Sequence, residues 1–423
     1  MGVSELLEKT RTGFTRSFWV ANALELIERF AFYGSKAILM VYVAEQVGLG
    51  AETAGWLVGA YGFMVFFLPA LAGTIVNRYG FKKSLLACFS IFCVGYLLIG
   101  LAVLPAGRPL VAALGSQLYI TLALLITAIG GSLIKPCIVG TVARTTTKET
   151  KSLGYSIYYT LVNLGGAFGP LLALLVRQNL GFAYVLVMCA TTSLLSALVT
   201  LLFFTEPPRP ADAPPPKSMA GVLRDMVMVF GNLKFITFLI IFSGFWVMFW
   251  PIFYALPIYA RDVLGLQQFE YVEMVDAAVI IFVTVPAAAL TRKISPLVAM
   301  TQGFVLATAC WFLMGTFPNL YLTFVFVGLF AVGEAIQAPR FYEYVADLAP
   351  KDQVGTYMGL AFLPVAAGAL AGGAISGKLV SHFIQGPGRG APQHMWYVIG
   401  AIGLASTLLM VVYDRLVVRR RAS

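Results

Sequence analysis

The stretch Glu25-Leu-Ile-Glu28-Arg29-Phe-Ala-Phe32-Tyr33-Gly-Ser-Lys36 lies inside a long hydrophobic run, and its reading decides the fold. Ionisable groups at membrane depth are expensive, about 2.5–3.5 kcal/mol each on insertion scales. Glu25, Glu28, Arg29 and Lys36 on one span therefore need partners and water. At helical spacing Glu25, the Glu28/Arg29 pair, the Phe32/Tyr33 pair and Lys36 share one face. A span that gathers charge on a single face turns that face to a polar cavity, not to lipid. The pattern points to a chain that moves something across a membrane.

The rest of the chain agrees. Its 423 residues are 59% hydrophobic and 11% charged, with a mean hydropathy of +0.85, where a soluble domain carries about 25% charged residues. The apolar residues come in blocks, each long enough for the ~20 residues that cross a bilayer. About twelve spans are expected, at 17–45, 52–76, 83–105, 112–142, 152–176, 180–204, 234–262, 266–291, 295–316, 319–347, 352–383 and 393–416. The period-two alternation of a membrane β-barrel is missing, so the expected fold class is an all-α membrane protein.

A net charge of +10 suggests nucleic acid until the positions are read. Arg11, Arg16, Arg78, Lys82, Lys83, Arg144, Lys148, Lys151, Lys217, Arg224, Arg292, Lys293 and Arg419–Arg421 fall at one set of alternate span ends. The other ends hold few, such as Arg108, Arg177 and Arg261. This is the positive-inside pattern; it puts both termini in the cytoplasm and leaves no nucleic-acid partner to explain. Cys88, Cys93, Cys137, Cys189 and Cys310 fall within expected spans without metal-like spacing and read as small buried hydrophobes. His382 and His394 flank an outer loop with no cysteine beside them, so no metal site is expected. The polar first 16 residues do not form a cleavable signal peptide.

Between the sixth and seventh spans runs Thr205-Glu-Pro-Pro-Arg-Pro-Ala-Asp-Ala-Pro-Pro-Pro-Lys217, an extended linker. Residues 218–233 then mix apolar residues with Arg224 and Asp225, as a short helix on the inner surface does. The expected organisation is a six-helix bundle over 1–204, a cytoplasmic linker with that short helix over 205–233, and a second six-helix bundle over 234–423.

The loop after span 2, Gly73-Thr-Ile-Val-Asn77-Arg78-Tyr-Gly80-Phe-Lys82-Lys83, resembles the inner-loop signature G-x-x-x-D-R-x-G-R-K/R of the major facilitator superfamily. Asn77 stands where that signature has an acid, and the positive-inside rule alone also yields basic residues there. The first-span motif resembles the ExxERFxYYG signature of the proton-coupled oligopeptide transporters, a branch of the superfamily, with Phe32 for the first tyrosine. Three more segments are similar to that branch. They are Gly130-Gly-Ser-Leu-Ile-Lys135-Pro136 in span 4, Tyr155-Ser-Ile-Tyr-Tyr159-Thr-Leu-Val-Asn163-Leu-Gly165 in span 5, and Gly333-Glu334 with Pro339, Leu348-Ala-Pro-Lys351 and Met358-Gly-Leu-Ala-Phe-Leu363 around span 10. The resemblance implies a major facilitator fold, two six-helix bundles around a central cavity. It also implies substrate contacts from Arg29, Tyr33, Lys36, Lys135, Asn163 and Glu334, the last pairing a substrate amine.

Physical reasoning reaches the same residues. Span 1 runs outward and span 4 inward, so Glu25, Glu28, Arg29 and Lys135 lie at similar depth in the cytoplasmic half. Burial raises a carboxyl pKa and a nearby cation lowers it, so a conformational change can switch the protonation state of such a cluster. A static ion-pair lock between spans 1 and 4 is the alternative. Lys36 offers a cation to an anionic solute or snorkels to the outer interface. Asn163 bonds substrate or a neighbouring helix, and Arg340 and Glu343 neutralise one another or take part in transport.

The chain also departs from the branch. Its members carry a carboxylate in span 7 in a W-x-x-x-E pattern; here the stretch is Trp246-Val-Met-Phe-Trp250-Pro251. Asp276 in span 8 is the nearest candidate replacement, and it also suits an outer helix cap. Phe66, with Phe32, removes a hydroxyl from the expected pocket, and Trp246 and Trp250 are the expected cavity aromatics. The expectation is a proton-coupled symporter of a small zwitterionic or anionic solute, such as a di- or tripeptide, working by alternating access. Glu25, Glu28, Arg29, Lys135, Asp276 and Glu334 would couple protons, with no cofactor. The partners are the solute and the bilayer of the cell membrane, and the protein is a monomer needing no other protein. Two further readings stand beside this one: a facilitator or exporter of a more hydrophobic compound, and a non-transporting sensor on the same fold. No nucleophile–base or metal constellation marks an enzyme.

Overall fold

The structure is a computed structural model, and it describes residues 13–209, 218–350 and 353–418. Residues 210–217 of the linker, Arg11, Lys351 and Arg419–Arg421 lie outside the described residues. All regular structure among the described residues is helical. The principal helices are α1 (Arg16–Val41), α2 (Gly50–Phe67), α3 (Pro69–Tyr79), α4 (Phe81–Leu101), α5 (Ser116–Thr145), α6 (Lys151–Leu180) and α7 (Phe182–Phe203). They continue with α8 (Met219–Val229), α9 (Leu233–Phe249), α10 (Glu270–Thr291), α11 (Pro296–Thr316), α12 (Leu320–Leu348), α13 (Leu363–Phe383) and α14 (Met395–Tyr413). Short helices Pro251–Tyr254 and Leu256–Asp262 extend α9, and Val354–Leu360 precedes α13.

Ten helical segments among the described residues are long and apolar enough to cross a membrane. The pair α2 and α3, bent by 46° at Leu68, makes an eleventh. The bend has a local cause: Pro69 has no N–H for the helical ladder and its ring crowds the preceding turn. Helix α1 falls short of that apolar standard because it carries Glu25, Glu28, Arg29 and Lys36, and counting it gives twelve. The chain is an all-α, multi-pass membrane protein.

Packing divides the chain into two units, Met1–Lys36 with Leu68–Val222, and Ala37–Phe67 with Leu223–Ser423. In the first, small residues let helices approach closely. A side chain at Gly95 of α4 would overlap Thr127 of α5, and one at Gly130 would lie 3.1 Å from the α4 backbone at Phe92. On the cytoplasmic side, Glu206 closes the loop between α3 and α4. Its two oxygens accept from the backbone N–H groups of Phe81 at 2.8 Å and Lys82 at 2.7 Å. Gly80 supplies the positive φ of 85° that turns the chain there. The carboxylate thus satisfies the first free donors of α4 and faces the positive end of its dipole. Arg144 adds a guanidinium 4.1 Å from the Phe81 ring centroid.

The second unit holds the outer end of α1, all of α2, and α9 to α14. Its tightest seam joins α2 to α13 with almost no side chain between them. A Cβ on Gly55 would run into the Gly373 carbonyl, and one on Gly59 would sit 2.9 Å from the Ala369 carbonyl. Glycine spacing of this kind drives helix association in lipid, where backbones gain dispersion contact that bulky side chains prevent. Helix α8 leaves Leu223, Val227 and Met228 exposed and buries Met226 and Val229.

Two outcomes test this packing. Glu206→Ala removes the α4 cap, which is worth about 1 kcal/mol, so amide exchange at Phe81 and Lys82 should quicken about fivefold. Gly55→Ala should lower the melting temperature in detergent. Gly73→Ala, where an added Cβ meets nothing within 4 Å, should not.

Candidate functional site

The charged face of α1 lies within the first unit. Glu25, Glu28 and Arg29 are buried there, Glu25 completely at 0% exposure. Arg29 Nε donates to Glu28 Oε2 at 2.5 Å and stands 3.4 Å from Glu25 Oε1. The guanidinium also lies 4.7 Å from the Phe32 ring centroid and 6.0 Å from that of Tyr33. The Phe32 ring therefore replaces a hydroxyl with a face for the cation. Lys36 continues the stack, its Nζ 5.6 Å from the Tyr33 ring centroid.

Two other helices complete this cluster. Lys135 of α5 lies within charge–charge range of Glu25, Glu28 and Arg29. Pro136 follows it inside the helix and removes one backbone donor from the turn that carries the ammonium. Tyr158 of α6 lies within electrostatic range of Glu25, Glu28, Arg29 and Tyr33. Helix α6 approaches so closely because Gly165 meets Arg29 and Gly169 meets Phe30, Tyr33 and Gly34; a Cβ on Gly165 would overlap that of Arg29. Two carboxylates, a guanidinium and an ammonium thus form one buried set whose formal charges cancel.

Asn163 sits on a polar stripe of α6 that also carries Ser152, Ser156, Tyr159 and Thr160. Ser152, Ser156, Tyr159 and Thr160 are exposed, and Asn163 is half-buried. The Asn163 Nδ2 donates to the Tyr159 carbonyl at 2.8 Å, and Thr160 and Ser156 bond back to their own helix in the same way. A polar stripe open to solvent at membrane depth suits water, not lipid. Its spacing was legible in the sequence, although only Asn163 was singled out there.

The other site candidates lie in the second unit. Trp250 is buried; its indole Nε1 donates to the Val365 carbonyl at 3.1 Å. It stacks on Tyr254 at 5.3 Å between centroids and meets Phe66 edge-on at 5.5 Å. Trp246 packs against Phe249 at 4.9 Å. Glycines of α13 hold both indoles in place: Gly368 abuts Trp246 and Gly372 abuts Trp250. Span 7 therefore carries a continuous aromatic surface at the place where a carboxylate would follow the tryptophan.

Glu334 is half-buried on α12, beside the close contact of Gly333 with Gly303. Asp276 lies on the buried face of α10 with Glu270 and Glu273. Helices α10 and α12 run parallel: Gly328 packs on Val279 and Arg340 reaches Thr291, each pair 49 residues apart. That register sets Asp276 level with Val325, roughly 13 Å along the axis from Glu334 at 1.5 Å per residue, so the unit does not pair them. Arg340 donates to Glu343 at 2.5 Å and to the carbonyls of Thr291 and Ile294 at 2.5 and 2.6 Å, closing the cytoplasmic end of α10. Sequence reasoning missed one ion pair, in which Arg261 holds both oxygens of Glu45 at 2.8 and 2.5 Å. The partners are 216 residues apart, and no local pattern joins them.

Comparison with known proteins fits this architecture. The multidrug resistance protein MdtH of Sodalis glossinidius is 25% identical over 383 residues, covering 89% of this chain and 88% of that protein. Dipeptide and tripeptide permease B of Photorhabdus asymbiotica is 26% identical over 191 residues, covering 44% of this chain and 37% of the permease. Among solved structures, a POT family transporter in complex with a thioalcohol-conjugated peptide superposes with a TM-score of 0.77 at 17% identity, covering 95% of this chain and 96% of that one. The POT family transporter PepTSo superposes with a TM-score of 0.75 at 18% identity, covering 95% and 98%. These structures share the fold of this chain, and that fold is one of transporters, not of enzymes. The Major Facilitator Superfamily model matches residues 24–363, and the chain belongs to that superfamily.

Proposed function

We propose that the protein is a proton-coupled secondary carrier of a small organic solute bearing an anionic group, working by alternating access as a monomer. The buried set of Glu25, Glu28, Arg29 and Lys135 carries this reading. A neutral cluster at membrane depth becomes a charged one when a carboxyl takes a proton, and cations released from pairing then attract an anion. Arg29, Lys36 and Lys135 are the groups available to a carboxylate or phosphonate, and Tyr33 and Asn163 offer hydrogen bonds. The solute's apolar part suits the aromatic surface of Trp246, Trp250 and Tyr254, and Glu334 accepts an amine where the solute has one. In this reading the bundles 1–204 and 234–423, joined by 205–233, are the moving bodies. Both termini lie in the cytoplasm, and the protein resides in the cell membrane.

A second reading has its own support. Relatives named as multidrug resistance proteins match nearly the whole chain, and the span-7 surface is aromatic where a carboxylate would favour a zwitterion. Export of an amphipathic compound by proton antiport uses the same cluster with opposite solute direction.

Proteoliposomes separate the two. With an inward proton gradient, symport predicts concentrative uptake of labelled dialanine above empty vesicles. Antiport predicts no dialanine uptake, and gradient-driven movement of ethidium against the proton flow. In either direction Glu25→Gln and Glu28→Gln should reduce gradient-driven flux to background while leaving exchange at equal pH within about twofold. Full gradient-driven flux in both variants would remove the cluster from coupling, and binding without any flux would replace the carrier by a sensor.

A further inference from the structure

Helices α1 and α6 run parallel with a fixed register. Gly154 meets Phe18, Gly165 meets Arg29 and Gly169 meets Tyr33, and the members of each pair are 136 residues apart. The same register sets Tyr158 opposite Asn22. On α1, Asn22 lies one turn on the cytoplasmic side of Glu25 and on the same face, three residues away. It is 1% exposed. Its Nδ2 donates to the Phe18 carbonyl at 2.9 Å, which anchors the amide to its own helix. Its Oδ1 is buried and accepts no hydrogen bond among the described residues, and the same holds for both oxygens of Glu25.

An amide oxygen and an ionised carboxylate are both acceptors only, so neither can satisfy the other. A buried acceptor left without a donor destabilises its state, the more so at membrane depth. A protonated Glu25 changes this, because its carboxyl then has one O–H to donate. It also loses its charge attraction to Arg29, which remains bonded to Glu28 Oε2. The groups that bear on Glu25 are Glu28 and Arg29 on α1, Lys135 on α5, Tyr158 on α6 and Cys88 on α4. Arg29 and Lys135 favour the ionised form. Glu28 favours the protonated one, and its buried Oε1 also accepts nothing. Asn22 is the neutral acceptor beside Glu25 on the cytoplasmic side.

We infer that Asn22 is a positioning residue for the proton on Glu25: its Oδ1 takes the hydrogen bond of the protonated carboxyl once that carboxyl leaves Arg29. The inference rests on the coupling reading of the cluster and assigns a further residue to it. No bond other than O–H changes; the proton that neutralises Glu25 moves with the carboxyl one turn towards the cytoplasm, where water takes it. Because Asn22 bonds only the protonated form, it raises the pH at which Glu25 loads, and removing it lowers that pH.

Infrared difference titration of the full chain in lipid nanodiscs tests this without a solute. The carboxyl band lost in Glu25→Gln identifies the group. In Asn22→Leu its midpoint should fall by about 0.7 pH unit, the effect of one ordinary hydrogen bond. Asn22→Ala should show the same fall, and Asn22→Gln, which keeps the carboxamide, should return the midpoint towards the wild type. The melting temperature of Asn22→Leu should not drop, because the change deletes an unsatisfied buried acceptor. An unchanged midpoint in Asn22→Leu and Asn22→Ala overturns the role of Asn22 alone. No band that depends on Glu25 anywhere in the titration overturns the coupling reading, and this inference with it. A lowered melting temperature with an unmoved midpoint assigns Asn22 to helix anchoring only, and also overturns the inference.

Discussion

The structure turns on a guanidinium buried between two carboxylates. Arg29 lies 2.5 Å from Glu28 and 3.4 Å from Glu25 on the same helix, out of water. Desolvating such groups costs several kcal/mol per ion, and their attraction offsets that only where geometry is good and charges balance. Lys135 supplies the second positive charge against the second negative one. That requirement reaches outward. Helix α1 cannot lie in lipid on this face, so α5 and α6 must cover it. Covering it closely needs Gly165 and Gly169, because a Cβ at the first of these overlaps Arg29 itself. Removing one charge would leave another buried and uncompensated, a much larger penalty than the pair's net contribution. The cluster is therefore sensitive to a single proton, which is the property a coupled carrier needs.

The second unit is built on a different principle. Its span 7 contains no acid, and its order comes from rings. Phe249, Trp250, Phe253 and Tyr254 succeed one another, and the helix breaks at Pro251 within that run. Rings of this size fill the unit only where the neighbouring helix gives way, and α13 does so with Gly368 and Gly372. The indole of Trp250 still needs an acceptor, since a buried N–H is costly unmet, and the Val365 carbonyl supplies it. The ring surface is thus held by backbone contacts, not by charge.

The chain showed its architecture and one half of its chemistry before any coordinates. Hydropathy blocks and basic span ends are local signals, and so is the spacing of Glu25, Glu28, Arg29 and Lys36 along one face. Lys135 was found by counting span directions, which set it at the depth of Glu25. What stayed hidden was contact between distant segments. Glu206 reaches back 125 residues to Phe81, and Arg261 reaches Glu45 across 216 residues. Neither residue differs in sequence from an ordinary loop or interface charge. The bend at Leu68–Pro69 was in principle legible, because proline after an apolar run interrupts the ladder; an uninterrupted span over 52–76 overlooked it. Asn22 escaped for another reason. A lone small polar residue within a hydrophobic run is usually bonded to its own helix, and half of this one is. Only the coordinates show that its oxygen is not.

The two units also bear differently on coupling and on selectivity. A proton switch depends on a few charges at fixed depth, so it tolerates almost no substitution at Glu25, Glu28, Arg29 or Lys135. A ring surface tolerates much more, because apolar contact is non-directional and volume-conserving exchanges disturb it little. Selectivity can therefore drift in the aromatic unit while the charged unit stays intact. That separation accounts for a chain whose first span resembles peptide carriers and whose near full-length relatives bear the names of multidrug resistance proteins. Phe32 and Phe66 fit the same account. Each keeps the ring and removes the hydroxyl, and Phe32 still gives Arg29 a face to rest on. Such changes leave the cation in place and alter what lies beside it, so the charge set constrains the energy source more tightly than it constrains the cargo.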